Sequence, residues 1–265
     1  MIDVARGSAT EARALARLYD VDMTEDPGDL DLFLALARRA DGPILELGVG
    51  TGRLALALAR AGYQVTGIDH DPAMLERARQ HALDADSEAA GRLDLVEDDI
   101  RTSRLTRTGF RLGFVALNTL MLLGTRSAQR AAIRLLADRL EPGGIAVADV
   151  WQPDAEDLAR FDGRVMLDYR RVDPETGRLV VKLGSAVHDA ASQTVILTTI
   201  YDEGIPGEPA DRWTRTDRLR LVSADELRGF AEDAGLEVEL IAGGYDLEPI
   251  GPGSERAILI GTRTP

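Results

Sequence analysis

The sequence predicts an α/β fold: a doubly wound, seven-stranded sheet that is mostly parallel, ends in an antiparallel C-terminal hairpin and carries an antiparallel β-rich insertion after its fifth strand. Through the first 150 residues, short apolar runs alternate with amphipathic helical segments, which is typical of a parallel sheet covered by helices on both faces. From residue 165 to residue 222, β-type segments follow one another without helices, so these strands are expected to pair antiparallel. A chain of 265 residues can bury the core of one such domain with an insertion.

The elements of the first half follow from periodicity and capping residues. Helical segments place apolar residues three and four positions apart. Asp29 can cap the second helix, and Asp71 followed by Pro72 is a typical helix start. The predicted helices run over residues 10–19, 30–39, 53–61, from Pro72 through Ala78, and 127–140. The predicted strands are residues 43–47, 63–68, 92–96, 112–117 and 145–150.

The second half is predicted to be mainly β. Residues 173–177 read Asp-Pro-Glu-Thr-Gly, a turn sequence, and Ser223 with Glu226 forms a capping-box pattern that opens a helix ending at Gly235. The predicted strands are residues 165–169, 179–187, 194–201, 215–222, 236–241 and 256–261. The chain therefore divides into an N-terminal helical cap (1–40), a core (41–150), a substrate-covering insertion (151–222), and a last helix with the closing hairpin (223–265).

Composition argues against several classes of function. The formal net charge is −14, so the surface should repel polyanions, and nucleic acid is not an expected partner. The chain has no cysteine, which excludes disulfides and thiolate metal sites, and no other ligand cluster predicts a metal. No apolar run is long enough to span a bilayer, and the N-terminus does not resemble a signal peptide. We expect a cytoplasmic protein without a membrane partner.

A glycine-rich turn follows the first predicted strand. Glu46 lies in that strand, and Gly48, Gly50 and Gly52 form the turn behind it. Glycine allows a positive φ and lets a ligand lie against bare backbone. The dinucleotide fingerprint G-x-G-x-x-G/A differs from the G-x-G-x-G present here, in which Arg53 takes the place of the last glycine. A nicotinamide-dependent oxidoreductase stays an alternative that this turn does not favour.

Carboxylates end the second and third predicted strands. Asp69 lies 69 − 50 = 19 positions after Gly50, close to the spacing of about 20 at which a carboxylate binds ribose hydroxyls. Asp98 and Asp99 follow the third strand, where an acidic group can meet an adenine amino group. Carboxylates repel a pyrophosphate but suit a sulfonium cation that carries an α-amino group. The chemistry therefore favours S-adenosylmethionine over NAD.

Several segments resemble the motifs of class I, Rossmann-like S-adenosylmethionine-dependent methyltransferases. Residues 44–53, Ile-Leu-Glu-Leu-Gly-Val-Gly-Thr-Gly-Arg, resemble the first motif, and residues 65–75 resemble the second. Residues 96–100, Val-Glu-Asp-Asp-Ile, resemble the third, and residues 117–120 and 140–144 resemble later ones. The resemblance implies that S-adenosylmethionine is the cofactor and S-adenosylhomocysteine the product.

The resemblance also implies roles for residues in these motifs. Glu46 and the glycines would lie beside the methionine part and the ribose, and Asp69 would bind the ribose hydroxyls. His70 and Met74 would flank the adenine, the end of the third strand would meet its edge, and Asn118 would lie near the methionine part. The implied cofactor-binding residues are Tyr19, Glu46, Gly48, Gly50, Gly52, Arg53, Asp69, His70, Met74, Asp98, Asp99, Ile100 and Asn118.

The chain is also similar to a small-molecule subgroup that includes the amino-sugar N-methyltransferases and glycine N-methyltransferase. The shared features are an early Leu-Tyr-Asp, here residues 18–20, whose tyrosine approaches the cofactor, a β-rich insertion, and a turn at residues 243–246. This similarity implies methyl transfer to N or O of a small-molecule acceptor, and a homodimer. It does not identify the acceptor.

Methyl transfer is an in-line displacement, so the protein must chiefly align the acceptor and exclude water. The candidate catalytic residues are Tyr19, Asn118 and Tyr245. The candidates for substrate contact are Trp151, Tyr169, His188 and Tyr201. Tyr169 and Tyr201 also fit buried rings with a satisfied hydroxyl, and His188 also fits a solvated strand face. A protein that binds the cofactor without transferring its methyl group stays an alternative.

Other charged residues admit two interpretations. The arginines of the insertion can either meet a substrate carboxylate or lie on solvated strand faces; they are Arg164, Arg170, Arg171 and Arg178. His81 lies in a charged helical segment and is expected at the surface.

Overall fold

The computed structural model describes residues 8–265, so the first seven residues of the predicted N-terminal cap lie outside the described part of the chain. The strands are β1 (Ile44–Leu47), β2 (Val65–Asp69), β3 (Leu93–Glu97), β4 (Phe110–Val115), β5 (Leu140–Trp151), β6 (Asp162–Val172), β7 (Leu179–Asp189), β8 (Thr194–Gly204), β9 (Asp211–Arg220), β10 (Leu236–Ala242) and β11 (Arg256–Arg263). The helices are α1 (Ala9–Asp22), α2 (Leu30–Ala40), α3 (Arg53–Arg60), α4 (Pro72–Ala85), α5 (Ser87–Ala90), α6 (Thr119–Leu122), α7 (Arg126–Arg139), α8 (Ala155–Arg160) and α9 (Ala224–Asp233). Within residues 8–265, no helix combines the length and apolar character needed to cross a membrane.

Seven strands form the main sheet in the order β10-β11-β5-β4-β1-β2-β3. β1 pairs in parallel with β2 and β4, whereas β11 pairs antiparallel with both β5 and β10. The predicted doubly wound sheet with its antiparallel hairpin is therefore confirmed. The chain proceeds from β1 to β3 on one side and returns to β4 on the other side of β1, so the strand order reverses between β1 and β4. In open α/β sheets, ligands bind outside the carboxyl ends of the strands at this point.

Helices cover both faces of the main sheet. Neighbouring residues of a strand point to opposite faces, so Ile44 packs with α2 and α3, and Leu45 packs with α7 and α9. Every residue of β1 and β2 is buried, as expected for strands between two helical layers.

The helix starts follow the predicted capping pattern at one position and depart from it at another. Asp71 accepts a hydrogen bond from the backbone N–H of Ala73 at 2.8 Å, with Pro72 in the first turn of α4. Asp29 makes no side-chain cap hydrogen bond to α2; instead both its carboxylate oxygens accept N–H groups of Arg53 at 2.6 Å. The prediction that Asp29 caps α2 is wrong, because a bidentate guanidinium is a stronger partner than a backbone N–H.

The insertion after the fifth strand forms a separate antiparallel sheet in the order β6-β7-β8-β9, which confirms the predicted β-rich insertion. Helix α1 lies between this insertion sheet and the core. Leu18 and Val21 of α1 pack with Val180 of the insertion sheet, whereas Ala16 packs with Met74 of α4. The insertion therefore contacts the core partly through the N-terminal helix.

Three short helices were not predicted, and several strand boundaries differ from the predictions: β6 begins at Asp162 rather than at residue 165, and β9 covers Asp211–Arg220 rather than residues 215–222. β5 begins at Leu140 rather than at residue 145, and its register with β4 shifts between Phe110 and Leu112. Residues 141–144, expected to separate helix and strand, thus form the irregular start of β5. Helices α5, α6 and α8 contain four to six residues, which is too short for a periodic pattern to show.

Candidate functional site

The turn between β1 and α3 is built from glycines in left-handed backbone conformations. The φ angles of Gly48, Gly50 and Gly52 are 77°, 54° and 85°, a region that other residues rarely adopt. A Cβ atom on Gly48 would collide with the side chain of Thr119, and one on Gly52 would lie 3.2 Å from Cβ of Ala78. The turn therefore exposes bare peptide groups at the carboxyl edge of β1.

Asp69 lies at the end of β2, beside this turn. Its carboxylate accepts the backbone N–H of Gly50 at 2.9 Å and that of Asp71 at 3.0 Å. Burial opposes its ionisation, but these hydrogen bonds and the neighbouring ring of His70 keep the pKa of Asp69 below its ordinary value. Asp69 is thus a fixed, ionised acceptor at the predicted distance along the chain from the turn.

Glu46 is a deeply buried acid that lines the cavity. It is 4% exposed, and its Oε2 has no hydrogen-bond partner within residues 8–265. Burial raises the pKa of Glu46 well above its ordinary value; the charge of Arg53 opposes the rise and the carboxylates of Asp29 and Asp69 add to it. A buried carboxyl oxygen without a partner is costly to the fold, which indicates a place for a cationic or hydrogen-donating ligand.

Tyr19 of α1 faces the glycine turn across a small cavity. A Cβ atom on Gly50 would lie 3.9 Å from its ring. Burial raises the pKa of Tyr19 to about 12, although the positive charges of Arg53 and Arg215 oppose the rise, so the hydroxyl is neutral at neutral pH. The cavity is lined by Tyr19, Glu46, Gly48, Val49, Thr51, Arg53, Leu54, Ala116, Leu117 and Thr119.

The loop after β4 forms another wall of the cavity. Leu117 has a φ of 48°, and its backbone N–H donates to the carboxylate of Asp149 at 3.1 Å. Asn118 accepts the backbone N–H of Trp151 at 2.8 Å, and the hydroxyl of Tyr245 donates to Asp149 at 3.0 Å. Two sets of hydrogen bonds therefore hold this loop: one joins Asn118 to Trp151, and the other joins Leu117 and Tyr245 to Asp149. Sequence reasoning missed Asp149, although an acid inside the apolar strand Ile-Ala-Val-Ala-Asp-Val-Trp was a signal.

The other predicted cofactor residues surround the end of β3. Asp98 donates its backbone N–H to the carbonyl of Asp69 at 3.0 Å, which places the two strand ends side by side. The carboxylate of Asp98 accepts N–H and O–H groups of the following loop, and hydrogen bonds from Arg101 hold the pKa of Asp99 below its ordinary value. Ile100 is buried.

His70 and Met74, the residues expected to flank the adenine, differ in exposure. The side chain of His70 is 75% exposed, and its contact with Asp69 raises its pKa. Met74 is buried beneath Ala16 of α1, so it is less open to a ligand than the resemblance implied.

The candidates for substrate contact lie in different surroundings. The hydroxyls of Tyr169 and Tyr201 both donate to Asp22 at the end of α1, so both are satisfied, with Tyr201 buried and Tyr169 half-buried. Trp151 packs its ring against Phe161 at 5.7 Å. His188 is half-buried on β7 and is not among the residues that line the cavity.

A second cavity lies between α1, α4 and the turn after β6, and includes His81. The ring nitrogens of His81 lie 3.1 Å from the carbonyl oxygen of Thr51 and 3.1 Å from the carboxylate of Asp20. The side chain of His81 is 34% exposed, so it lies at the surface as expected, although its ring also contacts α1 through Asp20. Arg77 also pairs with Asp20 and reaches Glu175 of the insertion at 2.7 Å.

The geometry of the first cavity fits a nucleoside with a cationic amino-acid tail. Bare backbone at the glycine turn admits a close ligand, Asp69 can accept from a pair of ribose hydroxyls, and the unpartnered oxygen of Glu46 can accept from an ammonium group. The cation that lines the turn, Arg53, is already paired with Asp29 through both of its Nη atoms. These features match S-adenosylmethionine better than a dinucleotide.

Comparison with known proteins agrees with this chemistry. Residues 44–144 match the family described as a methyltransferase domain. The chain is 30% identical over 245 residues to the cypemycin N-terminal methyltransferase of Streptomyces sp, and the match covers 91% of this chain and 93% of that protein.

Solved structures share the fold over nearly the whole chain. The CcbJ methyltransferase from Streptomyces caelestis superimposes with a TM-score of 0.81 at 25% identity, covering 98% of this chain and 100% of that chain. The S-adenosylmethionine-bound amino pentose methyltransferase CalS10 from Micromonospora echinaspora superimposes with a TM-score of 0.67 at 21% identity, covering 100% of both chains. The shared fold therefore includes the insertion sheet as well as the core.

Proposed function

This chain belongs to the class I S-adenosylmethionine-dependent methyltransferases, and from that premise we propose that it transfers the methyl group to an amine nitrogen of a small-molecule acceptor. Its family sets aside the nicotinamide-dependent oxidoreductase that the glycine turn had left open. S-adenosylmethionine is the cofactor, and it supplies a methyl carbon already activated by the positive sulfur.

We choose an amine because, among the described residues that line the cavity, none is suited to act as a general base. An alcohol acceptor needs a general base, whereas an amine attacks in its neutral form once its proton has passed to water. Among the described residues that line the cavity, the titratable groups are Tyr19, Glu46 and Arg53. Tyr19 is neutral at neutral pH, Arg53 is paired with Asp29, and Glu46 lies at the buried floor.

The names of two similar proteins also support nitrogen as the methylated atom. The cypemycin enzyme is by name an N-terminal methyltransferase, and CalS10 is described as an amino pentose methyltransferase. A peptide N-terminus and an amino sugar differ in size and shape but share an amine. We therefore propose that the acceptor of this chain also has an amine group.

In the proposed complex, Glu46 accepts from the α-ammonium group of the cofactor, and the backbone of the turn at Gly48, Gly50 and Gly52 lies along its methionine part and ribose. Asp69 accepts from the ribose hydroxyls. The adenine lies against the ends of β2 and β3. Its proposed neighbours are His70, Met74, Asp98, Asp99 and Ile100. Arg53 remains at the cavity wall.

Tyr19 and Asn118 are the proposed residues nearest the transferred methyl group. Their proposed role is to align the acceptor nitrogen and to exclude water, since positioning supplies much of the rate enhancement in a displacement of this kind. Tyr245 acts less directly, through Asp149 and the loop at Leu117. The insertion, residues 151–222, is proposed to cover the acceptor. The N-terminal cap is proposed to close the cofactor site.

The partner and assembly predictions are part of this proposal. A small molecule suits the chain better than nucleic acid because the net charge is −14. A homodimer in the cytoplasm is the assembly that we propose, and light scattering of the purified protein tests the stoichiometry.

Turnover with matched acceptors tests the proposed reaction. The purified protein is incubated with S-adenosylmethionine and pairs of amines and their hydroxyl analogues, and mass spectrometry detects S-adenosylhomocysteine and methylated product together. We expect product from amines and none from the hydroxyl analogues. Product only from alcohols would contradict the choice of atom, and cofactor binding without any product would favour a binding protein.

A further inference from the structure

The inner face of β9 contacts α1 and α6, the two helices beside the cofactor cavity. The side chains of β9 alternate between exposed and shielded positions, and the shielded ones face the core. At one end of this face, Trp213 packs with Leu18 and Val21 of α1; at the other end, Leu219 packs with the core cluster that includes α6. Helix α1 carries Tyr19, and α6 follows the loop at Leu117, so β9 spans the two walls of the cavity.

Arg215 and Asp217 occupy the middle of this span. Their neighbours on the same face of β8 and β7 are Thr199 and Gly184 beside Arg215 and Leu197 beside Asp217. Thr199 and Gly184 are small, and the carboxylate of Asp168 lies beside Gly184. Arg215 also lies close enough to the cavity to affect Tyr19. Burial raises the pKa of Tyr19, and the positive charge of Arg215 opposes this rise.

The guanidinium of Arg215 is held by one edge only. Its Nε donates to Oδ1 of Asp217 at 2.9 Å and lies 2.7 Å from Oδ2 in the same ion pair. Within residues 8–265, neither Nη atom makes a hydrogen bond, and the side chain is 36% exposed. Asp217 thus fixes the orientation of the group while its Nη edge stays open for a ligand.

The other arginines near the cavities differ in this respect. Both Nη atoms of Arg53 are bound to Asp29. Arg17 is paired with Asp173 and Glu203 of the insertion. The arginines that the sequence singled out are engaged or exposed elsewhere: Arg164 pairs with Asp162, Arg171 with Glu25 and the end of α1, Arg178 with Asp211, and Arg170 is exposed.

We propose that the Nη edge of Arg215 binds an oxyanion on the acceptor, a carboxylate or a phosphate, so that the enzyme selects amines that carry such a group. The planar fork of a guanidinium matches both oxyanions in bidentate geometry. The inference rests on the proposed amine methylation, and it adds the second functional group of the substrate. Arg215 acts here as a specificity-determining residue, placing the acceptor while its amine reaches the methyl group.

Binding to the protein saturated with S-adenosylhomocysteine tests the subsite without turnover. The probes are glycylglycine against glycylglycinamide for a carboxylate, and glucosamine 6-phosphate against glucosamine for a phosphate. We expect the anionic member of at least one pair to bind about ten- to a hundredfold more tightly than its neutral partner, the range of a charge-assisted hydrogen bond. The pair that discriminates identifies the oxyanion.

Two variants decide whether Arg215 carries this preference. Arg215→Gln should reduce the preference to about one, and Arg215→Lys should keep part of it because the charge remains while the fork is lost. Arg218→Gln is the matched control, since Arg218 is exposed on the opposite face of the same strand. Unchanged S-adenosylhomocysteine affinity and melting temperature in all variants show that the fold is intact.

Turnover separates this proposal from the proposed function. In wild-type protein the anionic amines should have a lower KM than neutral ones, and Arg215→Gln should raise KM for the anionic amines alone. Methylation of amines without any preference for the anionic member overturns the subsite and leaves the proposed function standing. Equal binding within both pairs, including no binding of either anionic probe, or a preference that survives in Arg215→Gln, also overturns the subsite.

Discussion

At the scale of single residues, Glu46 is the clearest sign that the cavity is built for a cation. In the protein without a ligand, a carboxyl group that is 4% exposed and has an oxygen without a hydrogen-bond partner lowers the stability of the fold. Such a group is retained where a ligand supplies the missing partner. An α-ammonium group would do so, and it would also lower the raised pKa of Glu46.

Cofactor binding should therefore release a proton from Glu46. Because the pKa of Glu46 is raised in the free protein and lowered beside an ammonium group, S-adenosylmethionine affinity should increase with pH between the two values. Calorimetry in buffers of different ionisation enthalpy measures the released proton. In Glu46→Gln this release should disappear and binding should weaken about ten- to a hundredfold; an unchanged affinity and proton release would contradict the role of Glu46.

The same substitution should stabilise the free protein at neutral pH. The pKa of Glu46 is higher in the folded state than its ordinary value of 4.5, so folding stability falls as the pH rises above that value and the unfolded chain ionises first. Glu46→Gln removes this loss. The difference in melting temperature between Glu46→Gln and wild type should therefore increase as the pH rises above 4.5, and a difference that decreases with pH would show that Glu46 is ionised when buried.

The sequence predicted some of these residues and not their partners. Glu46, the three glycines and Asp69 were predictable because strand ends and a spacing of 19 residues bring them to one edge of the sheet. Asp29 and Asp149 were not, because the partners that define their roles lie 24 and 32 residues away, at Arg53 and Leu117. No local pattern encodes such contacts.

At the scale of elements, α1 connects the core to the insertion sheet. Asp22 at its end accepts the hydroxyl of Tyr201 at 2.8 Å and the ammonium of Lys182 at 3.0 Å, and also the hydroxyl of Tyr169. Asp20, one half-turn earlier, pairs with Arg77 and His81 of α4. The helix that carries Tyr19 to the cavity is therefore held on both sides.

Removing the link to the insertion should loosen this helix. Asp22 is 14% exposed at its side chain, and Asp22→Asn leaves three donors facing a neutral amide, at a cost of about 2 kcal/mol. Urea unfolding measures the loss. Asp31→Asn, an exposed position of α2, is the control and should change stability little; equal effects of the two substitutions would show that Asp22 does not tether α1.

The link from α1 to α4 should depend on pH. The hydrogen bond that His81 donates to Asp20 raises the pKa of His81 above its ordinary value of 6.5, while burial and the charge of Arg77 oppose the rise. The stabilisation is therefore complete below pH 6.5 and is lost as the pH rises through the folded-state pKa. The melting temperature of wild type relative to His81→Gln should fall over that window, and a difference that is constant with pH would exclude a charged His81.

At the scale of the whole molecule, the alternation of strands and helices was sufficient to predict the sheet and its hairpin. The position of the insertion sheet was not predictable. Its placement depends on α1 and on ion pairs such as Arg17 with Glu203, which join residues 186 positions apart. The shape of the acceptor space, and with it Arg215, depends on that placement.

Cofactor binding should stabilise the whole chain. A ligand present at a hundredfold excess over its Kd adds about 2.7 kcal/mol, which raises the melting temperature of a protein of this size by roughly 5–10 °C. We expect this shift with S-adenosylhomocysteine in a thermal scan. A shift confined to a minor transition would indicate that the core and the insertion unfold separately.

The most direct test of the account is a calorimetric titration with S-adenosylmethionine, S-adenosylhomocysteine and NAD, carried out on wild-type protein and on Asp69→Ala. We expect binding of the first two to wild type, no binding of NAD, and loss of both interactions in Asp69→Ala, because Asp69 holds the turn at Gly50 and is proposed to accept the ribose hydroxyls. Unchanged binding in Asp69→Ala would contradict the proposed cofactor site, and binding of NAD alone would contradict the cofactor itself.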